Sequence, residues 1–365
     1  MQQRRSALAV AILGPLVALV ACTATTSFSG LSSGGIGPLD GGGDAPQGPT
    51  DGSSADVDAT VPTGPRTWRA LPVAGPPARH SAGMVYDEAR QKLVLVGGVI
   101  QTASQNETWE WDGTTWSRAD VTGAAEQRMP GLAYDGDRKV TVLYGGRDSA
   151  PSPLDWNGGS QWISPPSSGK GPPPAYAAGL VYDSARKVLV LFGGYRASTD
   201  SNNNETWEWS VTSGFTRRTP PQAPSARRAQ VMVYDSDRSR IVLFGGHADG
   251  QPTNDLWEYD GTTWTARNAE PSPSPRIAAC AAYDSVRKVT VVFGGRPGGG
   301  ESISLGETWE WDGTSWKSGR GGPPARRACA MAFDKARNAV VMYGGSPGGG
   351  NGNETTPLGD TWVYE

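Results

Sequence analysis

Six times in this chain an aromatic–aspartate pair is followed, 11 residues after the aromatic, by two glycines. The pair stands at Tyr86-Asp87, Tyr134-Asp135, Tyr182-Asp183, Tyr234-Asp235, Tyr283-Asp284 and Phe333-Asp334. The first glycine stands at Gly97, Gly145, Gly193, Gly245, Gly294 and Gly344. Successive copies lie 48, 48, 52, 49 and 50 residues apart. A strict period of this length leaves few folds open. Each copy is one supersecondary unit that can bury its apolar surface only against the next, as in a solenoid or a propeller.

Each copy reads as four strands. The first is a run of small residues such as HSAGMVYD, and the second a continuous apolar run such as KLVLVGG, the pattern of a strand covered on both faces. Between them stands Asp-x-x-Arg in every copy, beginning with Asp87 and Arg90. An aspartate can bond its own backbone in a turn, and the arginine can return to it, so this is hairpin chemistry. The third strand is TWEW at 108–111, repeated as TWEW, LWEY, TWEW and TWVY further on. Asp112-Gly113 then signals a tight hairpin into a fourth strand beginning at Trp116. The chain's 50 glycines, 29 prolines and 14 tryptophans fit many short strands and tight turns.

The two ends of the repeat region test the count. Copy six stops at Glu365, just after its third strand, while an orphan strand at 66–71 precedes copy one. The orphan (Trp68-Arg69-Ala70) resembles a fourth strand (Trp116-Ser117-Arg118). It is expected to complete the last blade and close a ring of six, leaving no exposed edge.

The glycine pair after an apolar strand, the aromatic–aspartate pair and the trailing tryptophan resemble the kelch repeat over residues 66–365. That resemblance implies an all-β, six-bladed propeller of four-stranded blades around a channel, with repeats starting near 79, 127, 175, 227, 276 and 326. In such a ring the indoles fill the wedge between blades, so Trp109 and Trp116 are expected to be structural, as are Asp87, Arg90, Gly97 and Gly98. Sugar stacking is the alternative role for some of the indoles. Kelch propellers include a copper radical oxidase, whose chemistry needs several His and Tyr ligands and a Tyr–Cys link. Only His80 and His247 exist here, and neither that constellation nor a Ser/His/Asp arrangement is found. The expectation is therefore no enzyme, no cofactor and no metal.

Function then belongs to what varies. The segments from each glycine pair to the third strand differ in length and sequence, for example VIQTASQN after Gly98 and YRASTDSNNN after Gly194. They share one face with the connections between blades. That face also carries a basic rim. Seven residues before each aromatic stand Arg79, Gln127, Ala175, Arg227, Arg276 and Arg326; one position later come His80, Arg128, Tyr176, Arg228, Ile277 and Arg327. The first series is expected to pair with the acids that open the third strands, Glu107, Asp255, Glu307 and Asp360. Copy three is the exception, with Ala175 but Glu205 retained. This pairing leaves Arg128, Arg228 and Arg327 without an assigned acid, and they are the ligand candidates, with His80 and Tyr176 beside them. An anionic ligand such as an acidic glycan would suit this rim.

Cys280 and Cys329 lie three and four residues before their aromatics, so they point to opposite faces of their own sheets. Adjacent blades meet through opposite faces, so the sulfurs can meet. The favoured reading is nevertheless two small, buried, free cysteines.

The N-terminus reads as targeting rather than fold. Arg4 and Arg5 precede an apolar run at 7–21, which ends in Leu19-Val20-Ala21-Cys22. This resembles a bacterial lipobox and implies a lipoprotein signal peptide over 1–21, with Cys22 lipidated. Thr23 in place of Asp favours outer-membrane sorting in a Gram-negative envelope. Residues 22–65, rich in Gly, Ser, Pro and Asp, read as a disordered tether. A net charge of −3 gives no footprint for nucleic acid. The sequence thus points to a monomeric, lipid-anchored propeller in the bacterial cell envelope, binding a protein or envelope glycan through its loop-rich face. A sugar-active enzyme and a structural spacer are the rivals.

Overall fold

The structure is a computed structural model and describes residues 65–146, 152–166, 171–298, 303–348 and 356–365. The expected signal peptide, Cys22 and nearly all of the tether lie outside the described residues.

Six antiparallel sheets follow one another, one per repeat. In blade one the strands are His80–Asp87, Lys92–Ile100, Thr108–Trp111 and Trp116–Arg118. The first strands of successive blades touch, and that of blade six touches that of blade one, so the ring closes around a channel. Closure occurs as the chain ends suggest: Trp68–Leu71 pairs antiparallel with Leu358–Tyr364 as the fourth strand of blade six, with Trp68 opposite Tyr364.

Blade two departs from the expected four strands. Its sheet holds Gly131–Asp135, Val140–Tyr144 and Leu154–Trp156, and the fourth strand shrinks to a bridge between Asp155 and Ile163. Pro165 and Pro166 follow at once and offer no N–H with which to extend a ladder. Trp162 still enters the core and donates to Thr108 Oγ1 at 3.1 Å.

That last bond is part of a rule. Trp116 donates to Thr361, Trp264 to Thr206 and Trp68 to Thr308, at 2.8–3.0 Å. Each fourth-strand indole thus reaches the third strand of the preceding blade. At the other two junctions the partners have changed: Phe215 faces blade two, where Pro153 replaces the threonine, and Trp316 packs beside Leu256. The paired indoles of the third strand divide their work. Trp111, Trp209 and Trp311 are buried between blades, whereas Trp109, Trp207 and Trp309 are half-buried and donate to Glu107, Glu205 and Glu307.

The Asp-x-x-Arg element does more than turn the chain. Arg90 donates through Nε to Asp87 (2.8 Å) and through Nη1 to Glu110, and its guanidinium lies 4.3 Å from the Trp156 ring of blade two. Arg138 lies over Trp209, Arg186 over Tyr259 and Arg287 over Tyr364 in the same way. The motif staples each blade to the next. In these copies the arginine contacts named above all lie within the scaffold.

The double glycine allows close approach between blades. Both glycines have positive φ in all six copies. The second N–H donates to the next blade's backbone, as Gly295 does to Arg326 O at 2.9 Å. A Cβ on Gly294 would lie 2.2 Å from that same carbonyl, whereas Gly321, also at positive φ, has nothing within 4 Å. Gly294→Ala is therefore expected to cost about 2 kcal/mol more than Gly321→Ala, measured by denaturant unfolding. Equal costs would mean that backbone conformation alone, and not crowding, requires the pair.

Above the channel the six blades are joined by a ring that the sequence did not disclose. Ser81, Met129, Ala177, Ala229, Ala278 and Ala328 all have φ between 52° and 60°. The N–H of each donates to the carbonyl of the one before, and Ser81 donates to Ala328, at 2.7–3.2 Å. The circle of backbone bonds offsets the strain of six left-handed residues.

One expectation is overturned. Cys280 and Cys329 are not free thiols but form a disulfide, with Cα atoms 5.7 Å apart. The opposite-face geometry of adjacent blades brings the sulfurs together at a separation that a bridge accommodates.

Candidate binding site at the channel mouth

The six rim positions His80, Arg128, Tyr176, Arg228, Ile277 and Arg327 come from six blades and converge on one cavity of about 210 Å³. The reason is local. Each stands immediately before a ring residue, so the closed backbone circle fixes them at one level around the axis. The ring residues form the floor.

A second tier, missed in the sequence, stands outside the first. Val99, Tyr195, His247, Arg296 and Ser346 are the cross-strand partners of His80, Tyr176, Arg228, Ile277 and Arg327. Each lies two residues after a first glycine, a fixed offset that would have found them. The equivalent position 147 lies outside the described residues. Arg296 and Ser346 line the cavity with the first tier. In blades one, three and four the variable segments begin as small hairpins, such as Tyr195–Arg196 with Ser201–Asn202, which raise this wall.

The neighbouring series behaves as expected. Arg79, Arg227, Arg276 and Arg326 are fully buried and bond to Glu107, Asp255, Glu307 and Asp360 at 2.6–2.9 Å. Each also donates to the carbonyl of its own blade's first glycine. The blade-three exception has a simple resolution: Arg196, from the variable hairpin, bonds to Glu205 where Ala175 cannot. These guanidiniums hold the carboxyls of Glu107, Glu205, Glu307, Asp255 and Asp360 below their ordinary range, against the opposing effect of burial.

The candidate Arg228 is not unpaired, as the sequence reading had it. Its Nη1 donates to Asn202 Oδ1 at 2.9 Å, and its guanidinium lies 5.0 Å from the Tyr195 ring. Both partners are uncharged, so the side chain is held in place with its charge uncompensated by them. Four arginines line the cavity (Arg128, Arg228, Arg296 and Arg327), and among the described lining residues there is no Asp or Glu. In a chain of net charge −3 that concentration is local. His247 registers it: burial first, then the charges of Arg228 and Arg296, hold its imidazole below the ordinary value.

The opposite mouth has other chemistry. It is a wider cavity of about 600 Å³, lined by Tyr86, Tyr134, Tyr182, Tyr234, Tyr283 and Phe333 over an inner ring of Met, Leu and Ala. Several of these hydroxyls serve the fold. Tyr134 accepts from Ala89 N and Tyr234 from Ala185 N, capping the hairpin of the preceding blade. Among the described residues, no group of three or more His, Cys, Asp or Glu is placed to hold a metal ion.

Residues 154–316 match the family model described as the KLHDC2/KLHL20/DRC7 Kelch-repeats domain. The match runs from the third strand of blade two to the fourth strand of blade five. No curated protein matches the chain. With six repeats in register and six blades around one channel, the chain is a six-bladed β-propeller whose middle, residues 154–316, matches a kelch-repeat family model.

Proposed function

We propose that the protein is a non-catalytic binding module that engages a protein partner through its loop-rich face. The lipidated Cys22 would tether it to the cell envelope. The observation that carries this reading is the convergence of the rim: six blades deliver variable side chains to one mouth, while the scaffold beneath them repeats. Catalysis is not favoured there, because His80 shares the mouth with arginines and, among the described residues, with no carboxylate.

The test uses the full chain in detergent as bait against solubilised envelope proteins. Beside it runs a variant carrying Arg128→Glu, Arg228→Glu and Arg327→Glu, with its fold checked by circular dichroism. We expect the native chain to retain a partner that the folded variant loses. Retention by both would place the contact elsewhere on the propeller. No capture by either would count against the reading.

A further inference from the structure

We infer that the wider mouth, on the face opposite the variable loops, is a binding site for a neutral aromatic molecule, seated against Ala281, Met331 and Phe333 at the junction of blades five and six. The inference concerns the other end of the channel and stands apart from the loop-face reading.

Size admits a ligand. A cavity of about 600 Å³ falls within the roughly 300–1,000 Å³ of small-molecule sites. Every residue that lines it is among the described residues. Its wall is a ring of five tyrosines and Phe333. Four of the hydroxyls are turned to the hairpin of the blade before. Those of Tyr86, Tyr134 and Tyr234 accept from the N–H groups of Ala336, Ala89 and Ala185 at 3.1–3.3 Å, and that of Tyr182 donates to Asp137 at 2.6 Å. These residues therefore offer a ligand ring carbon more than hydrogen bonds. That favours an aromatic guest over a sugar, whose hydroxyls each need a partner when taken out of water.

The next tier inward carries Met84, Leu132, Leu180, Met232, Ala281 and Met331, one per blade, each two residues before the rim aromatic. Thioethers adapt their shape and contact aromatic rings favourably. Charge argues for a neutral guest. Lys335 reaches Glu88 at 3.3 Å, and Asp137 takes Lys187 at 2.6 Å beside the Tyr182 hydroxyl. The three charged residues of the lining are thus answered across blade junctions.

One sector breaks the sixfold pattern. Blade five has Ala281 where every other blade carries Met or Leu, which deepens the cavity there. Phe333 is the rim position without a hydroxyl. It faces the blade-five hairpin, where Val286 takes the place of Ala89, Ala185 and Ala336 and is 40% exposed. All three changes fall at the junction of blades five and six, and together they make it the roomiest and most apolar sector of the mouth.

The experiment places the full chain in lipid nanodiscs, so that no detergent competes. Its methionine methyls are isotope-labelled and followed by NMR during titration with 2-naphthol. The chain holds six methionines, so single Met→Leu substitutions assign them. We expect saturable ring-current shifts at Met84, Met232 and Met331, largest at Met331, and none at Met129 in the floor of the other mouth. Ala281→Leu introduces the residue that blades two and three carry in this register, and the Met129 signal checks its fold. It should weaken 2-naphthol binding at least ~10-fold by filling the recess. Arg228→Gln, at the loop-face mouth, should leave that binding unchanged. Decahydro-2-naphthol, the saturated counterpart, should bind at least ~5-fold more weakly, because it lacks the ring contacts with Phe333 and the thioethers. 2-Naphthoate, which brings its charge beside Glu88 and Asp137, should bind at least ~10-fold more weakly than 2-naphthol. Maltose should leave the methyls unmoved.

No saturable shift at Met331 in the native chain would overturn the inference, and that readout needs no variant to fold. So would 2-naphthol binding that survives Ala281→Leu unchanged. Equal binding of decahydro-2-naphthol or maltose would sink the aromatic assignment, and equal binding of 2-naphthoate the neutral one.

Discussion

A chain that starts at residue 72 will lose the cooperative unfolding transition of one that starts at residue 65. The five residues 67–71 supply the outer ladder of blade six, from Thr67 N to Glu365 O at 2.9 Å through to Leu71 opposite Thr361. Without them Leu358–Tyr364 becomes an open edge with a row of unpaired backbone groups. The indole of Trp68 is lost too. It donates to Thr308 across the blade junction and stacks 5.0 Å from Tyr364. Arg66 leaves Asp284, the staple aspartate of blade five, which it approaches at 3.3 Å. The milder variant Trp68→Ala keeps the ladder and removes the indole. It should cost about 3 kcal/mol, the low end for tryptophan truncation because this ring is only half-buried. Circular dichroism during denaturant unfolding measures both. A cost below about 1 kcal/mol for Trp68→Ala, or an unchanged midpoint for the shorter chain, would mean that the ring does not depend on its N-terminal closure.

That closure was legible because it follows from counting. A blade missing its fourth strand at one end, and a strand with a matching tryptophan at the other, leave one economical solution. The blades themselves were equally open to reading, since Asp112-Gly113 and the continuous apolar second strand are local signals. Blade two was not. Its failure to form a fourth strand depends on Pro165 and Pro166 falling where a ladder should extend, which the repeat pattern averages away. The circle of left-handed residues was also hidden. Nothing about alanine announces a positive φ, and the conformation exists only because a neighbouring blade offers a carbonyl there.

The site was half legible. Position within the repeat placed His80, Arg128, Tyr176, Arg228, Ile277 and Arg327 at one mouth, and there they stand. What position could not supply was partnership. Arg196 rescues Glu205 from a variable hairpin, and Asn202 and Tyr195 hold Arg228 from the same hairpin. These contacts depend on how an irregular segment folds back, which no period encodes. Arg296 escaped notice for a different cause. It falls in a variable segment just after a glycine pair, although its backbone pairs with Ile277 as Tyr195 does with Tyr176.

Reducing the Cys280–Cys329 bond is expected to cost about 4 kcal/mol, because it joins residues 49 apart and a loop of that length loses considerable entropy when closed in the unfolded chain. The bond spans blades five and six and sits in the cluster that includes Phe293, Met331, Tyr364 and Trp68. Blade six is therefore tied on one side by sulfur and completed on its outer edge by the N-terminal strand. Each device stabilises the same junction, so their losses should not simply add: Trp68→Ala should cost more in the reduced protein than in the oxidised one. Denaturant unfolding with and without reductant, on the native chain and on Cys280→Ala/Cys329→Ala, measures the effect. The double variant should be insensitive to reductant, and the native chain should titrate two more thiols after reduction than before. A native chain whose stability ignores reductant, with the same thiol count before and after, would return the pair to free cysteines. An additive cost for Trp68→Ala would instead leave the bridge intact and separate it from ring closure.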